Sequence, residues 1–293
     1  MIKRTDTFSK ESQQVITVSS GRQLPLTRPL IMGILNVTPD SFSDGGRFIN
    51  LTDAVAHALK MVDEGADIID IGGESTRPGA DPVSAEEEIR RVIPVIEMLK
   101  RETDIPISID TYKASTAQAA LEAGADIVND VSALRFDSSM ANLIASQKVP
   151  VVLMHMLGTP RDMQKNPHYE NCVEEIAQFF VARIDFCIKS GIEKTKIILD
   201  PGIGFGKRLS DNLEILANLR RFKEFSLPLL VGVSRKSFIG MIHTSGCAAD
   251  QRIGGSIAAT VAAVINGADI VRVHDVAQTV EALKVLQAIR ETA

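Results

Sequence analysis

Residues 30–36 read LIMGILN, an apolar run that ends on the polar side chain of Asn36. Seven further runs of this kind follow along the chain and also end on polar or charged residues, at 68–70, 107–110, 127–130, 151–155, 197–200, 229–234 and 270–275. Their β-branched content, without polar alternation, is typical of strands that are covered on both faces. The runs therefore predict eight parallel strands.

The segments between the runs have the apolar spacing of amphipathic helices. Eight strand-and-helix units predict an α/β fold, a single (β/α)8 TIM barrel, which commonly needs about 250 residues. Residues 15–26, with Ser-Gly at their centre, predict an N-terminal β-hairpin that covers one end of the barrel. We expect one domain over residues 15–293, hairpin included, after a polar tail at 1–14.

Local signals predict where helices begin and end. Asn50 is predicted to cap the helix after the first strand, and Ser84 with Glu87 forms a possible capping box for the next helix. The sequence Gly-Ala-Asp-Ile recurs at Gly65, Gly124 and Gly267. Glycine accepts the left-handed conformation that ends many helices, so these repeats indicate helix-to-strand joints.

Composition favours a cytoplasmic protein that acts on small molecules. The chain has 32 basic and 37 acidic residues, a net charge of −5, and the two signs are interspersed, which argues against nucleic-acid partners. The apolar stretch 257–265 is shorter than the roughly 20 residues that cross a bilayer, and residues 1–12 lack the apolar core of a signal peptide. The three cysteines lack metal-ligand spacing, which favours ordinary thiols.

Polar residues at the predicted strand ends should meet at one mouth of the barrel, because the carboxyl ends of its parallel strands lie together. Asp110, Asn129 and Asp200 end three of the strands. Two carboxylates and an amide suit the edge of a flat heterocycle that carries amino and ring N–H donors. The alternative is that the acids serve as helix caps or loop anchors.

A second set suits a polyanion. Arg272 and His274 alternate along one predicted strand, and Arg77 follows a turn at the end of another. Guanidinium groups match phosphate oxygens, although structural salt bridges would use the same residues. The amide oxygen of Asn36 is a candidate Mg²⁺ ligand beside phosphate oxygens and waters, with a turn-capping role as the alternative.

Two segments complete the candidate site. In Ser-Arg-Lys-Ser at 234–237, Lys236 is placed to contact a substrate edge and Ser237 to hydrogen-bond a carboxylate, unless this is a solvated basic loop. The glycines at 202, 204 and 206 match neither the dinucleotide fingerprint nor the P-loop. They instead indicate close backbone approach to a planar ligand, with Phe205 nearby and Met154 in the wall.

At these residues the chain resembles the dihydropteroate synthases, a family of pterin-binding enzymes, over nearly its whole length. Eight segments carry the resemblance in order: GILNVTPDSFSDGG at 33–46, GGESTRPG at 72–79, SID at 108–110, ND at 129–130, LMH at 153–155, LDPGIGFGK at 199–207, SRKS at 234–237 and RVHD at 272–275. Several long motifs in one order exclude chance similarity.

The resemblance implies condensation of 6-hydroxymethyl-7,8-dihydropterin diphosphate with p-aminobenzoate, which gives dihydropteroate and diphosphate in folate synthesis. It implies these roles: pterin binding by Asp110, Asn129, Met154, Asp200, Phe205 and Lys236; diphosphate and Mg²⁺ handling by Asn36, Arg77, Arg272 and His274; and p-aminobenzoate binding by Thr76, Arg77, Pro78, Phe205, Lys236 and Ser237. It also implies sulfonamide inhibition and a homodimer.

Diphosphate is a good leaving group, so stabilising its developing charge favours a dissociative substitution without a strong general acid. Asp110, Lys236, Arg272 and His274 are then the predicted catalytic residues, and loops 37–49 and 72–83 are expected to close over the site. Two alternatives use the same ring-binding residues. A pterin-dependent methyltransferase has no diphosphate to bind, and a noncatalytic pterin-binding protein forms no product.

Overall fold

The computed structural model of the chain describes residues 14–37, 47–75, 81–242 and 246–292. Its ten strands are β1 Val15–Thr17, β2 Gln23–Pro25, β3 Leu30–Asn36, β4 Ile68–Gly72, β5 Ile107–Asp110, β6 Ile127–Asp130, β7 Val151–Met154, β8 Ile197–Asp200, β9 Leu230–Gly232 and β10 Ile270–Val273. Strands β1 and β2 pair antiparallel, and the other eight form one sheet.

The eight-stranded sheet is parallel and curls into a barrel. Its order is β8-β7-β6-β5-β4-β3-β10-β9, so neighbours in sequence are neighbours in space except where β3 meets β10. A single bridge between Leu199 and Leu229 joins the two ends of the sheet, and the amide of Leu199 donates to the carbonyl of Pro228 at 2.9 Å. The predicted TIM barrel with an N-terminal hairpin is confirmed.

Helices follow the barrel strands in the expected alternation. They are α1 Arg47–Asp63, α2 Ala85–Glu102, α3 Ala114–Glu122, α4 Met140–Gln147, α5 Cys172–Lys189, α6 Leu209–Ala217, α7 Arg220–Lys223, α8 Ser237–Ile242, α9 Ile253–Ile265 and α10 Val276–Glu291. Within the described ranges, none of these helices has the length and apolarity needed to span a membrane.

Three predicted strand ends are confirmed, at Asp110, Asp130 and Asp200, where the polar residue is the last residue of its strand. Strand β4 instead continues two residues past Asp70, to Gly72. The last polar residues of three other runs, His155, Ser234 and Asp275, lie beyond the strand ends, because the chain there turns into the loops at the mouth.

One helix boundary was wrong and another was right. Helix α1 begins at Arg47, so Asn50 lies inside it rather than at its cap. A local cap preference is a weak signal, and helical hydrogen bonding can extend beyond it. Ser84 does cap α2, since its hydroxyl accepts the amide of Glu87 at 3.2 Å. The Glu87 carboxylate binds Arg90 and Arg91, so only this half of the box is seen.

The core has two layers. A large cluster fills the space between the outer face of the sheet and the helices, and includes Ile71, Val92 and Phe180. A smaller cluster fills the barrel interior at the amino ends of the strands, where Ile16 and Leu24 of the hairpin pack on side chains such as Met32. The hairpin therefore closes the end of the barrel that is opposite the strand carboxyl ends.

The repeated Gly-Ala-Asp joints work as the sequence predicts. The three glycines have φ between +103° and +109° and follow α1, α3 and α9. In each repeat the aspartate accepts a backbone amide at the start of a neighbouring strand and binds one basic side chain. The sets are Asp67 with Ile31 and Arg28, Asp126 with Ile107 and Lys100, and Asp269 with Leu229 and Lys223. The joints thereby fix strand register.

Residues 1–13 of the predicted tail lie outside the described residues. Gln14 already belongs to the hairpin, because its carbonyl accepts the amide of Leu26 at 2.9 Å.

Cys172 and Cys187 are buried free thiols, and Cys247 is a half-buried one.

Candidate active site

A four-residue polar network lies at the carboxyl end of the barrel. Arg272 on β10 donates from Nε to Oδ2 of Asp70 at 2.5 Å and from Nη2 to Oδ2 of Asp110 at 2.7 Å. Asn129 on β6 donates from Nδ2 to the same Asp70 oxygen at 3.1 Å. The four residues come from four strands, and two of them, Asp70 and Arg272, are 202 positions apart in sequence. We refer to Asp70, Asp110, Asn129 and Arg272 as the central network.

Asp70 is a functional candidate that sequence reasoning missed. The apolar run seemed to end there, whereas the strand continues and the side chain is fully buried inside the barrel. The available signal was the continuation Ile-Gly after the aspartate, since a charged residue within a strand buried on both faces needs a partner. Arg272, also inside its strand, is that partner.

Each acid of the central network has one oxygen bound by Arg272 and one left over. Among the described residues, Oδ1 of Asp70, Oδ1 of Asp110 and Oγ of Ser108 are buried without a hydrogen-bond partner. Ser108 pairs with Asp70 in strand register. Buried polar atoms are ordinarily satisfied, so this row of acceptors suits a ligand or water that supplies N–H or O–H donors.

Burial and ion pairing act in opposite directions on Asp110 and Arg272. Burial raises the pKa of Asp110 to about 7, and the guanidinium of Arg272 opposes that rise. Burial would lower the pKa of Arg272, but Asp70 and Asp110 together raise it above its ordinary value. The ion pairs therefore keep Arg272 charged and favour the ionised form of Asp110 against burial.

Asp200 and Met154 lie side by side on the adjacent strands β8 and β7, where they are register partners. Oδ1 of Asp200 accepts the amide of Gly202 at 2.7 Å. Burial raises the pKa of Asp200, while the ammonium of Lys236 lowers it. Asp130, by contrast, accepts the amides of Ser132 and Leu134 and anchors its own loop.

Lys236 sits on a turn that is held firmly in place. Arg235 adopts a left-handed φ of +58° and binds Asp275 through two hydrogen bonds, at 3.0 and 2.5 Å. The amide of Arg235 donates to Ser256 Oγ at 2.8 Å. These contacts aim Lys236 inward, where its ammonium hydrogen-bonds the carbonyl of Ile203. The segment is therefore not a solvated basic loop.

The ammonium of Lys236 also lies 4.4 Å from the centre of the Phe205 ring. Burial lowers the pKa of Lys236 to about 8, although Asp200 and Asp110 raise it. Phe205 packs against a small apolar cluster that includes Met154 and Met163. Ser237 begins α8 and is exposed at the rim. The predicted residues of this part thus line one wall.

His274 directly follows β10 and is held by Ser234. The Ser234 hydroxyl oxygen accepts the backbone amide of His274 at 3.2 Å and lies 3.0 Å from its Nδ1. When the ring proton is on Nε2 the Ser234 hydroxyl donates to Nδ1, and when it is on Nδ1 the hydroxyl oxygen accepts it. Asn36 ends β3, opposite Gly72 in the ladder. Both residues therefore belong to the same end of the barrel as the central network.

Thr76, Arg77 and Pro78 lie outside the described residues, as do positions 38–46 and 79–80 of the two predicted lids. The described start of the second loop is anchored by Glu74. Its carboxylate accepts the Tyr112 hydroxyl at 2.8 Å and binds the ammonium of Lys113, which also binds buried Glu88 at 2.8 Å. Sequence reasoning did not identify this anchor, because its partners lie on different helices and loops.

Within the described ranges, no three His, Cys, Asp or Glu side chains converge as a metal site. Mg²⁺ usually keeps several waters and few protein ligands beside substrate phosphates, and the amide oxygen of Asn36 is a hard oxygen donor of the kind that it prefers.

Comparisons with known proteins give one consistent result. The family model described as pterin binding enzyme matches residues 32–274. The dihydropteroate synthase of Escherichia coli K12 is 49% identical over 270 residues, which are 92% of this chain and 95% of that protein. The dihydropteroate synthase of Xanthomonas albilineans, solved with 4-aminobenzoic acid, superposes with a TM-score of 0.89 at 49% identity and covers 95% of this chain and 99% of that one. The dihydropteroate synthase of Yersinia pestis, solved in a sulfonamide drug complex, superposes with a TM-score of 0.89 at 47% identity, covering 94% and 99%.

Proposed function

This chain belongs to the pterin-binding enzyme family, and on that premise we propose how its residues carry the reaction. It is a transferase with the activity of the dihydropteroate synthases. That reaction joins the amine nitrogen of p-aminobenzoate to the methylene carbon of 6-hydroxymethyl-7,8-dihydropterin diphosphate and releases diphosphate. The observation that carries the proposal of roles is the central network, in which Arg272 joins two buried acids and Asn129.

The pterin ring binds between the central network and Asp200. Its amino and ring N–H groups are donors, and the open oxygens of Asp110 and Asp70 are buried acceptors. The Asn129 amide both donates and accepts, so it fits a ring edge that mixes the two kinds of group. Met154 and Phe205 supply apolar contact to the ring faces. A ligand without its amino group would leave a buried acceptor unpaired, at about 1–3 kcal/mol.

The substitution is dissociative. The C–O bond to diphosphate breaks first, its electron pair leaves with the diphosphate, and the electron-rich dihydropterin spreads the positive charge of the methylene. The carboxylates of Asp110 and Asp200 favour that charge. The arylamine nitrogen then attacks the methylene carbon, and its proton passes to the released diphosphate or to water. The two substrates react directly with each other, so no covalent bond to the protein forms. Preorganised charges of this kind act strongly in a site that excludes water.

The departing diphosphate is received by cationic and hydrogen-bonding groups. Arg272 and His274 lie two residues apart at the end of β10 and supply a guanidinium and an imidazole N–H. Arg77 is assigned the same role from the sequence. Asn36 would hold Mg²⁺ together with phosphate oxygens, and the ion supplies charge neutralisation of the leaving group when bound.

The second substrate lies above the wall formed by Phe205 and Lys236. Its ring packs on Phe205, and its carboxylate meets Ser237 at the rim. The family resemblance assigns Thr76, Arg77 and Pro78 to the same substrate. Sulfonamides share the aromatic amine of p-aminobenzoate, so they compete for this pocket, as expected from the Yersinia pestis complex.

We further propose a cytoplasmic homodimer. Free thiols are typical of the reducing cytoplasm. The exposed apolar side chains Met241, Ile242, Ile253, Ile265, Val285 and Ile289 lie on the consecutive helices α8 to α10 and suit contact with a second copy. Light scattering coupled to gel filtration would give a monomer mass if this proposal is wrong.

The reaction is tested by product formation. Purified protein, Mg²⁺, the pterin diphosphate and p-aminobenzoate are mixed, and dihydropteroate and diphosphate are quantified by mass spectrometry. A protein that binds pterin but forms neither product would be a noncatalytic binder. Transfer of a methyl group from a methylated pterin, without diphosphate release, would instead support the methyltransferase alternative.

Two variants separate the proposed roles. Asp200→Asn is expected to weaken pterin binding, measured by calorimetry, because the ring loses an ionised acceptor. Arg272→Ala is expected mainly to reduce turnover, because the leaving anion loses a cation. Unchanged pterin affinity in Asp200→Asn would remove Asp200 from the pterin site.

A further inference from the structure

The loop at residues 201–207 is pressed tightly against the end of β7. Gly202, Gly204 and Gly206 have φ values of +68°, +83° and +63°, which only glycine adopts easily. A Cβ on Gly202 would lie 2.0 Å from the carbonyl oxygen of His155. The loop starts after Asp200 and contains Phe205, so its position decides where two site residues point.

Lys207 ends this loop and is 3% exposed. Its ammonium lies 3.0 Å from Nδ1 of His155, and it donates to the carbonyl of His155 at 3.3 Å and to that of Phe205 at 3.0 Å. Among the described residues, no carboxylate lies within ion-pair distance of it. A buried lysine that binds only uncharged acceptors is rare unless it has a role, because its charge is expensive to bury.

The contacts of Lys207 join the two sides of the loop. His155 belongs to the segment after β7, and Phe205 belongs to the loop itself. Two further supports are neutral, since Tyr169 donates its hydroxyl to the carbonyl of Gly206 at 2.9 Å and Gln164 donates to that of Gly204 at 2.7 Å. Lys207 is the cation that holds the loop on the His155 side, as Lys236 does at Ile203.

The charge of Lys207 also acts on Asp200. The Lys207 ammonium lowers the pKa of the Asp200 carboxyl, against the larger effect of burial, and thereby favours its ionised form. The other titratable groups that face Lys207 are His155, Cys172, Lys236 and Asp211. Lys236 already binds the opposite side of the same loop through Ile203.

We propose that Lys207 is a positioning residue for pterin binding: its ammonium clamps the 201–207 loop to His155, which sets Phe205 against Lys236. This inference rests on the proposed function, because it assigns pterin to Asp200 and Phe205. Lys207 itself does not touch the substrate.

The protonation state of Lys207 makes the clamp sensitive to pH. Burial lowers the pKa of Lys207 to about 7. Burial and the neighbouring Lys207 also lower the pKa of His155 well below its ordinary value, so the imidazole stays neutral and Nδ1 accepts. The ammonium donates three hydrogen bonds, whereas the neutral amine has only two N–H groups. The clamp is complete below pH 7 and loses one contact and its charge above it.

The test compares Lys207→Met with the wild type and with Lys165→Met, which removes an exposed lysine from the neighbouring loop. Calorimetry measures the dissociation constant of 6-hydroxymethylpterin between pH 5.5 and 8.5. Other groups of the site titrate in both proteins, so the readout is the ratio of the variant and wild-type constants. We expect about a tenfold ratio at pH 6 that shrinks at pH 8.5, and a ratio near one for Lys165→Met.

Lys207→Arg retains a charge that does not titrate, so it is expected to remove this pH dependence. Equal affinity and an equal pH profile in a folded Lys207→Met protein would overturn the proposal, as would a ratio independent of pH, which indicates a merely structural role. If Lys207→Met does not fold, ¹³Cε-lysine spectra of the wild type decide. The resonance that is missing in Lys207→Arg identifies Lys207. It must titrate near pH 7, and a Lys207 that stays protonated to pH 9 would refute the pH-sensitive clamp.

The wild-type product assay is done first. Pterin binding without product formation would defeat the synthase reaction but leave the Lys207 comparison intact. Product formation with an unchanged Lys207→Met profile would defeat only the Lys207 assignment.

Discussion

Replacing Asp70 with asparagine tests whether the central network positions Arg272. The substitution keeps the size of the side chain and removes its charge. Oδ2 of Asp70 accepts from both Arg272 and Asn129, and the carboxylate is fully buried. Arg272 keeps its second partner, Asp110, at 2.7 Å, so the guanidinium is not left unpaired.

The magnitude follows from that remaining partner. Removing one member of an isolated buried pair costs about 3–5 kcal/mol, whereas a hydrogen bond to a charged group contributes about 1.5–3 kcal/mol. Because Asp110 still neutralises Arg272, we expect the transition state to lose about 2 kcal/mol of stabilisation, near the lower of these two ranges. This loss corresponds to roughly a 30-fold fall in kcat/KM, since each 1.4 kcal/mol is about tenfold.

Initial rates at varied pterin diphosphate and urea unfolding give the two quantities. Asp126→Asn is the matched control, because Asp126 is a buried carboxylate that is paired with Lys100 at the opposite end of the barrel. It should lower the unfolding free energy by about 2 kcal/mol and leave kcat/KM unchanged. Wild-type kcat/KM in Asp70→Asn, or an equal loss of kcat/KM in Asp126→Asn, would refute the positioning role.

Two further outcomes follow from pKa values. The Lys236 ammonium exists below its pKa of about 8, so kcat/KM for the pterin diphosphate should fall above pH 8, and in Lys236→Arg this alkaline limb should move upward; identical limbs in rate–pH profiles would count against Lys236. Burial would raise the pKa of Asp126, but the ammonium of Lys100 and the amide of Ile107 lower it below its ordinary value, so this group stabilises the fold at neutral pH and the gain is lost as pH falls below about 4. Asp126→Asn should therefore lower the free energy of unfolding at pH 7, measured by urea denaturation, by about 2 kcal/mol. The stability of the variant should also fall less in acid than that of the wild type, and equal acid sensitivity of the two proteins would contradict this.

The fold was predictable because the strand signal is local. An apolar run with a polar end is visible in the sequence, and the alternation of eight such runs with helical stripes admits one common architecture. Asp110 and Asp200 end their strands as predicted, whereas Asn129 lies one residue before the end of β6. Asp110 and Asn129 are register partners on β5 and β6, and Asp200 lies beside Met154.

The parts that failed depend on contacts between distant segments. The only local signal that Asp70 does not end its strand is the short continuation Ile-Gly, and its partner Arg272 is 202 positions away. Lys207 resembles an ordinary basic residue after a glycine loop, and only packing against His155 shows that it is buried. Asn50 failed in the opposite way, because a good local cap signal was overridden by the helix that extends before it.

The central network also gives a reason why pterin binding and diphosphate departure belong to one site. Arg272 holds one oxygen of Asp70 and one of Asp110, which leaves the second oxygen of each as a buried acceptor among the described residues. A guanidinium in that position fixes the direction of both acids, which the proposed function assigns to the pterin ring. Any anion that draws Arg272 toward itself must weaken the same two ion pairs. In the proposed mechanism the acids then carry more uncompensated negative charge beside the methylene when diphosphate leaves, which is when positive charge develops there.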